Sequence, residues 1–136
     1  MLQPVIQQES TGCGIASAAV LLGCSYPQMK AVANAMGIYA DDKALWSDTQ
    51  YVRRLLENGG LQVSATEEPF VSWQALPDLA LLAIKYHWDG ERPFWHWVVF
   101  ARSERETVVL DSKKALKTNT RRDFGRIKPK WYIHID

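Results

Sequence analysis

The rhythm of apolar and polar positions changes near residue 60. Residues 13–22, CGIASAAVLL, are apolar almost all round, which predicts a buried central helix from about Cys13 to Leu22, stopped at Gly23. Ser25 caps a second helix with Pro27 early in it; Met29, Val32, Ala33 and Met36 form its apolar stripe, and Gly37 ends it. Asp41-Asp42-Lys43 reads as a polar connector. A third helix is predicted over about Ser47 to Glu57, with Val52, Leu55 and Leu56 inward and Asn58-Gly59-Gly60 as its stop.

Beyond residue 60 the pattern shortens and turns β-branched and aromatic. Leu61-Gln62-Val63, Leu79 to Tyr86, His96 to Arg102, Thr107 to Asp111 and Trp131 to Ile135 read as strands. Ser72 to Pro77 reads as a short turn of helix, and Asp89-Gly90 and Ser103-Glu104 as turns. On the strand after Trp95, His96, Val98 and Phe100 share one face, and Trp95, Trp97 and Val99 the other. Both faces are apolar, which predicts a central strand covered on both sides. Helices first and an antiparallel sheet after them imply an α+β fold. There is no internal repeat and no linker, so residues 1–136 are expected to form one domain.

Composition narrows the function classes. The 47% hydrophobic and 23% charged content is that of an ordinary globular chain, and no apolar run nears the roughly 20 residues that span a bilayer. The N-terminus lacks the basic start of a signal peptide, so a cytoplasmic location is expected. Two cysteines, Cys13 and Cys24, make no disulfide framework; one helix between them would hold them roughly 16 Å apart. Cys24, after Gly23, suits a buried apolar site. The net charge of +1 divides into +6 from Lys113 onward and −5 before it. That basic segment could meet an acidic partner or simply solvate a face. No zinc-finger spacing, phosphate loop or nucleic-acid motif is present, and no metal or cofactor is expected.

The chemistry concentrates in three places. Gln7-Gln8-Glu9-Ser10-Thr11-Gly12-Cys13-Gly14 puts a thiol at the mouth of an apolar helix, where the dipole favours a thiolate and free N–H groups can hold an oxyanion. His96 supplies a candidate base and Asp111 a carboxylate to orient it. If Arg102 and Arg105 close a hairpin around Ser103-Glu104, His96 falls directly opposite Asp111, with Cβ atoms about 5 Å apart. Plainer roles exist for each. Cys13 could be a small buried apolar residue, His96 a core histidine and Asp111 a turn cap. His87 is a rival base, and His134 reads as structural. Six tryptophans suit the core, with Trp95 placed to line a cleft.

These residues resemble the papain-like cysteine peptidases, and most of all the bacterial double-glycine leader peptidases that trim bacteriocin precursors. The shared features are a glutamine before Cys13-Gly14-Ile15-Ala16, then His96-Trp97-Val98-Val99, then Asp111. The resemblance implies a helical half packed on an antiparallel sheet and a peptide or protein substrate. It implies Cys13 as nucleophile, His96 as base and then acid, and Asp111 as orienter. The amide of Gln7, or of neighbouring Gln8, would complete an oxyanion hole, and the spacing to Cys13 favours Gln7. The leader peptidases carry Asp before the cysteine, where this chain has Gly12. They are commonly fused to a transporter, so a free-standing relative is expected here. The same triad also serves amide transfer, deamidation and isopeptide cleavage, and the shape alone could serve a non-catalytic peptide-binding module.

Overall fold

In the computed structural model, which describes residues 2–136, the apolar segment at residue 13 forms the central helix. Helix α1 (Cys13–Leu22) buries nine of its ten residues, because it packs on both other helices and on the sheet. Gly23, with φ +70°, ends it, and Gly23 and Cys24 donate back to Val20 and Ala19. Helix α2 (Tyr26–Ala35) begins at Ser25 with a reciprocal cap to Gln28. Helix α3 spans Gln50–Asn58, three residues later than the expected start. Asp48 Oδ1 accepts from Gln50 N at 2.9 Å, and residues 43–45 form a separate 3-10 turn where only a polar connector was expected.

Six strands follow: β1 (Glu68–Pro69), β2 (Leu79–Asp89), β3 (Arg92–Arg102), β4 (Thr107–Leu110), β5 (Thr120–Arg121) and β6 (Trp131–His134). All neighbours are antiparallel, in the order β1-β6-β2-β3-β4-β5. The fold is α+β, three helices on one antiparallel sheet. Strand β3 is central. Trp97 and Val99 join the core under the helices, while Val98 and Phe100 join a second core with Leu82, Ile84, Val109 and Ile127. Among the described residues no helix is long and apolar enough to cross a membrane.

Several expectations are corrected. Residues 61–63 make only a single bridge, Val63 to Ile135, at the rim of the sheet. Residues 72–77 form turns rather than helix: Ser72 Oγ caps Ala75 N, but Pro77 has no N–H and disfavours helical geometry at Leu76. The β2–β3 turn falls at Gly90-Glu91, with Gly90 at φ +66°. The β3–β4 hairpin is also two residues off the expected register: Arg102 faces Thr107 and Val99 faces Leu110. Ser103 is the reason. Its N–H donates to Glu106 O at 2.8 Å and its hydroxyl accepts from Arg105 and Glu106, closing a four-residue loop. A shift of two keeps every side chain on its face, so His96 and Asp111 become diagonal rather than direct neighbours.

Candidate active site

Cys13 is the first residue of α1, and its neighbours are glycines for a steric reason. A Cβ on Gly12 would lie 2.2 Å from Tyr26 Oη, and one on Gly14 would lie 2.2 Å from Tyr51 Oη. Two tyrosine rings therefore close on the backbone either side of the thiol. The Tyr26 hydroxyl fills the space that a side chain at residue 12 would need, and donates to the Glu9 carboxylate, which Lys30 also meets. Burial, then Glu9, raises the Tyr26 pKa, so the hydroxyl stays protonated. Gly12 offers no side-chain cap. Among the described residues no hydrogen bond takes the backbone N–H of Cys13 or Gly14.

The sulfur lies against β3, accepting from Trp97 N at 3.4 Å. It lines a cavity of about 230 Å³ together with Trp46, Tyr51, Lys85, His87, Phe94 and Trp95. Tyr51 is buried, and burial first, then the sulfur, holds its pKa well above the ordinary value. Tyr51 is a site residue that the sequence reading did not single out.

His96 stands in the same cavity. Its Nε2 lies 2.7 Å from Asp111 Oδ1, and Cys13 lines the same cavity. Burial alone would lower the imidazole, but the Asp111 hydrogen bond and the Cys13 sulfur outweigh it and push His96 up to about 9. Asp111 is fully buried and fully engaged. Oδ1 also accepts from Lys113 N at 3.1 Å, Oδ2 accepts from Arg121 Nη1 at 2.9 Å, and the Asp111 carbonyl accepts from Asn119 Nδ2 at 2.7 Å. Burial would raise this carboxyl; His96 foremost, then Lys113 N and Arg121, holds it down to about 2. Arg121 belongs to the basic segment, and this one of its charges turns inward.

Gln7 is engaged differently from the expectation. It is buried, and its Nε2 donates to the Glu9 carbonyl at 3.1 Å and the Ser10 carbonyl at 2.9 Å, while Oε1 accepts from Ser112 Oγ at 2.7 Å. Both amide hydrogens thus hold the loop ahead of Cys13, and Gln7 does not line the cavity. Gln8 is exposed. His87 also lines the cavity, but its hydrogen bond goes to the Lys85 carbonyl, at 2.8 Å, and its ring stacks on Phe94. His134 pairs with Asp136 on β6, outside the cavity. Among the described residues no cluster of His, Cys, Asp and Glu is arranged to hold a metal.

A thiol, an imidazole and a buried carboxylate in line, with free N–H groups beside the thiol, suit nucleophilic attack on a carbonyl. No family model matches the chain, and no curated protein resembles it closely enough to count as a match. Among solved structures it is similar to a double glycine motif protease from an AMS/PCAT transporter, solved in complex with the leader peptide. The identity is 17% and the TM-score 0.65, over 99% of this chain and 91% of that one. The chain therefore has the fold of a papain-like peptidase domain.

Proposed function

We propose that the chain is a cysteine peptidase in which Cys13 is the nucleophile, His96 the base and then acid, and Asp111 the orienter. One observation carries this reading: the 2.7 Å bond between His96 Nε2 and the buried Asp111 carboxylate, in an imidazole that lines the same cavity as the Cys13 sulfur at the start of α1. The fold neighbour's complex with a leader peptide supports a peptide as substrate. Residues 1–136 act as one domain, and two unpaired thiols suit a reducing, cytoplasmic setting.

His96, raised to about 9, takes the Cys13 proton, and the sulfur attacks the peptide carbonyl. The oxyanion is met by the free N–H groups of Cys13 and Gly14. Gln7 positions the loop. It can join the oxyanion hole only by withdrawing an N–H from Glu9 or Ser10. His96 gives its proton to the leaving amine, the acyl-enzyme forms, and His96 then takes a proton from the water that hydrolyses it. A peptide library read by mass, with and without an added amine acceptor, tests the reading. Peptide products that incorporate no amine are expected; transfer to the amine would move the assignment to an acyl transferase, and no turnover would argue for a binding module.

A further inference from the structure

Lys85 has a φ of +54°, the one positive value at a non-glycine residue among those described. It lies where β2 bulges. Ile84 faces His96 and His87 faces Phe94, so Lys85 and Tyr86 together oppose Trp95. The left-handed region is disfavoured for a lysine by its own Cβ. Bulges re-aim side chains and gather beside active sites, and strain of this kind persists where the surroundings enforce it. Here the bulge puts Lys85 in the wall of the cavity that holds Cys13 and His96.

Lys113 lies against Lys85. The site itself fixes the Lys113 backbone: its N–H donates to Asp111 Oδ1 at 3.1 Å, and Asn119 Nδ2 donates to its carbonyl at 2.9 Å. Neither amine has a carboxylate in ion-pair range among the described residues. Asp111, the neighbouring acid, has both oxygens occupied by His96, Lys113 N and Arg121. Lys113 first, then burial, lowers the Lys85 pKa, as befits two amines without a counter-ion. Lys85 lines the cavity, and exposed Lys113 stands beside it outside the lining; two neighbouring cations make a ready position for an anion.

We propose that Lys85 and Lys113 form a carboxylate-binding subsite on the leaving-group side of the cavity, selecting substrates with a negative charge just beyond the bond cleaved. The subsite rests on the cysteine-peptidase reading, since the side is assigned by His96, the group that protonates the leaving amine. The carboxylate can be that of an acidic side chain or of a peptide C-terminus; the chemistry is the same.

Cys13 in the full chain is alkylated with iodoacetate and with iodoacetamide, and the ratio of the two rates is the readout. In the parent protein the ratio should exceed that of the Lys85→Met/Lys113→Met variant by about five-fold at low salt, and the difference should shrink at high salt. Lys113→Glu alone should bring the ratio below that of the double variant, which keeps the test decisive if the double variant folds poorly. Equal ratios in parent and variants would overturn the subsite. A Cys13 no faster than Cys24 with iodoacetamide would instead overturn the peptidase reading, and the reagent ratio would still decide the subsite. Protection of Cys13 by peptides then separates the sources. Better protection by Glu than Gln peptides indicates a side chain, and better protection by free than amidated C-termini indicates a terminus. Equal protection by all four counts against the subsite.

Discussion

The two halves of the site are built by opposite means. Around Cys13, groups are left free: Gly12 gives no cap, the N–H groups of Cys13 and Gly14 have no partner among the described residues, and tyrosine rings fill the space where side chains would be. Around His96 everything is engaged. Asp111 is buried and meets the imidazole, Arg121, Lys113 N and, through its carbonyl, Asn119. The difference teaches what each half must do. Donors that are to receive charge during a reaction must be unpaired at rest, whereas an orienting carboxylate must be satisfied, since a buried unpaired charge would be strongly destabilising.

That contrast can be broken from either side, and the effects should rank accordingly. Cys13→Ala removes the proposed nucleophile and should abolish turnover with the fold intact, read by peptide mass and circular dichroism. His96→Ala should lower kcat/KM by roughly a hundred- to ten-thousand-fold. Arg121→Met strips a partner from a buried carboxylate and should cost about 3 kcal/mol in a urea titration. The same variant should move the alkaline limb of the rate upward, because a positive charge near His96 is lost. Gly14→Ala drives a Cβ into Tyr51 and should cost about 1–3 kcal/mol. Gln7→Ala separates two roles. As a loop tie it should lower stability by about 1–3 kcal/mol while kcat falls only modestly. A loss of kcat by about a hundredfold or more at unchanged stability would instead make it an oxyanion donor.

A further effect is expected on pH dependence. His96 is raised to about 9 from an ordinary 6.5, so its contribution to stability is fully present below 6.5 and lost as pH rises through 9. Turnover should fall over the same alkaline range, as the proton for the leaving amine is lost. Asp111 is depressed to about 2 from 3.8, so its contribution holds above 3.8 and is lost as pH falls towards 2. A stability profile flat from pH 7 to 10, matching that of His96→Gln, would remove the linkage.

Much of this was legible in the chain because period and punctuation are local. The all-round apolar run 13–22 marked a buried helix, and Gly23 and Ser25 marked its end and the next cap. The His96–Asp111 couple was legible because side-chain alternation survives an even slip of register; its register was not, because Ser103 closes a loop two residues wider than the simple hairpin. The β2 bulge was invisible, since Lys85 stands in a conformation that glycine would have announced. Arg121 was hidden because an inward cation in a basic segment looks like its solvated neighbours. The family resemblance pointed to Gln7 by its spacing from Cys13, but which way its amide points depends on Ser112, 105 residues away.

The central claim is that Cys13 and His96 form a reactive couple, and the rate of Cys13 alkylation by iodoacetamide at neutral pH tests it most directly. Cys24 is the internal reference, its thiol held above the ordinary value by burial. Cys13 should react many times faster than Cys24 in the folded protein, and His96→Ala should remove most of that advantage. Slow and equal reaction of both thiols, unchanged by His96→Ala, would contradict it.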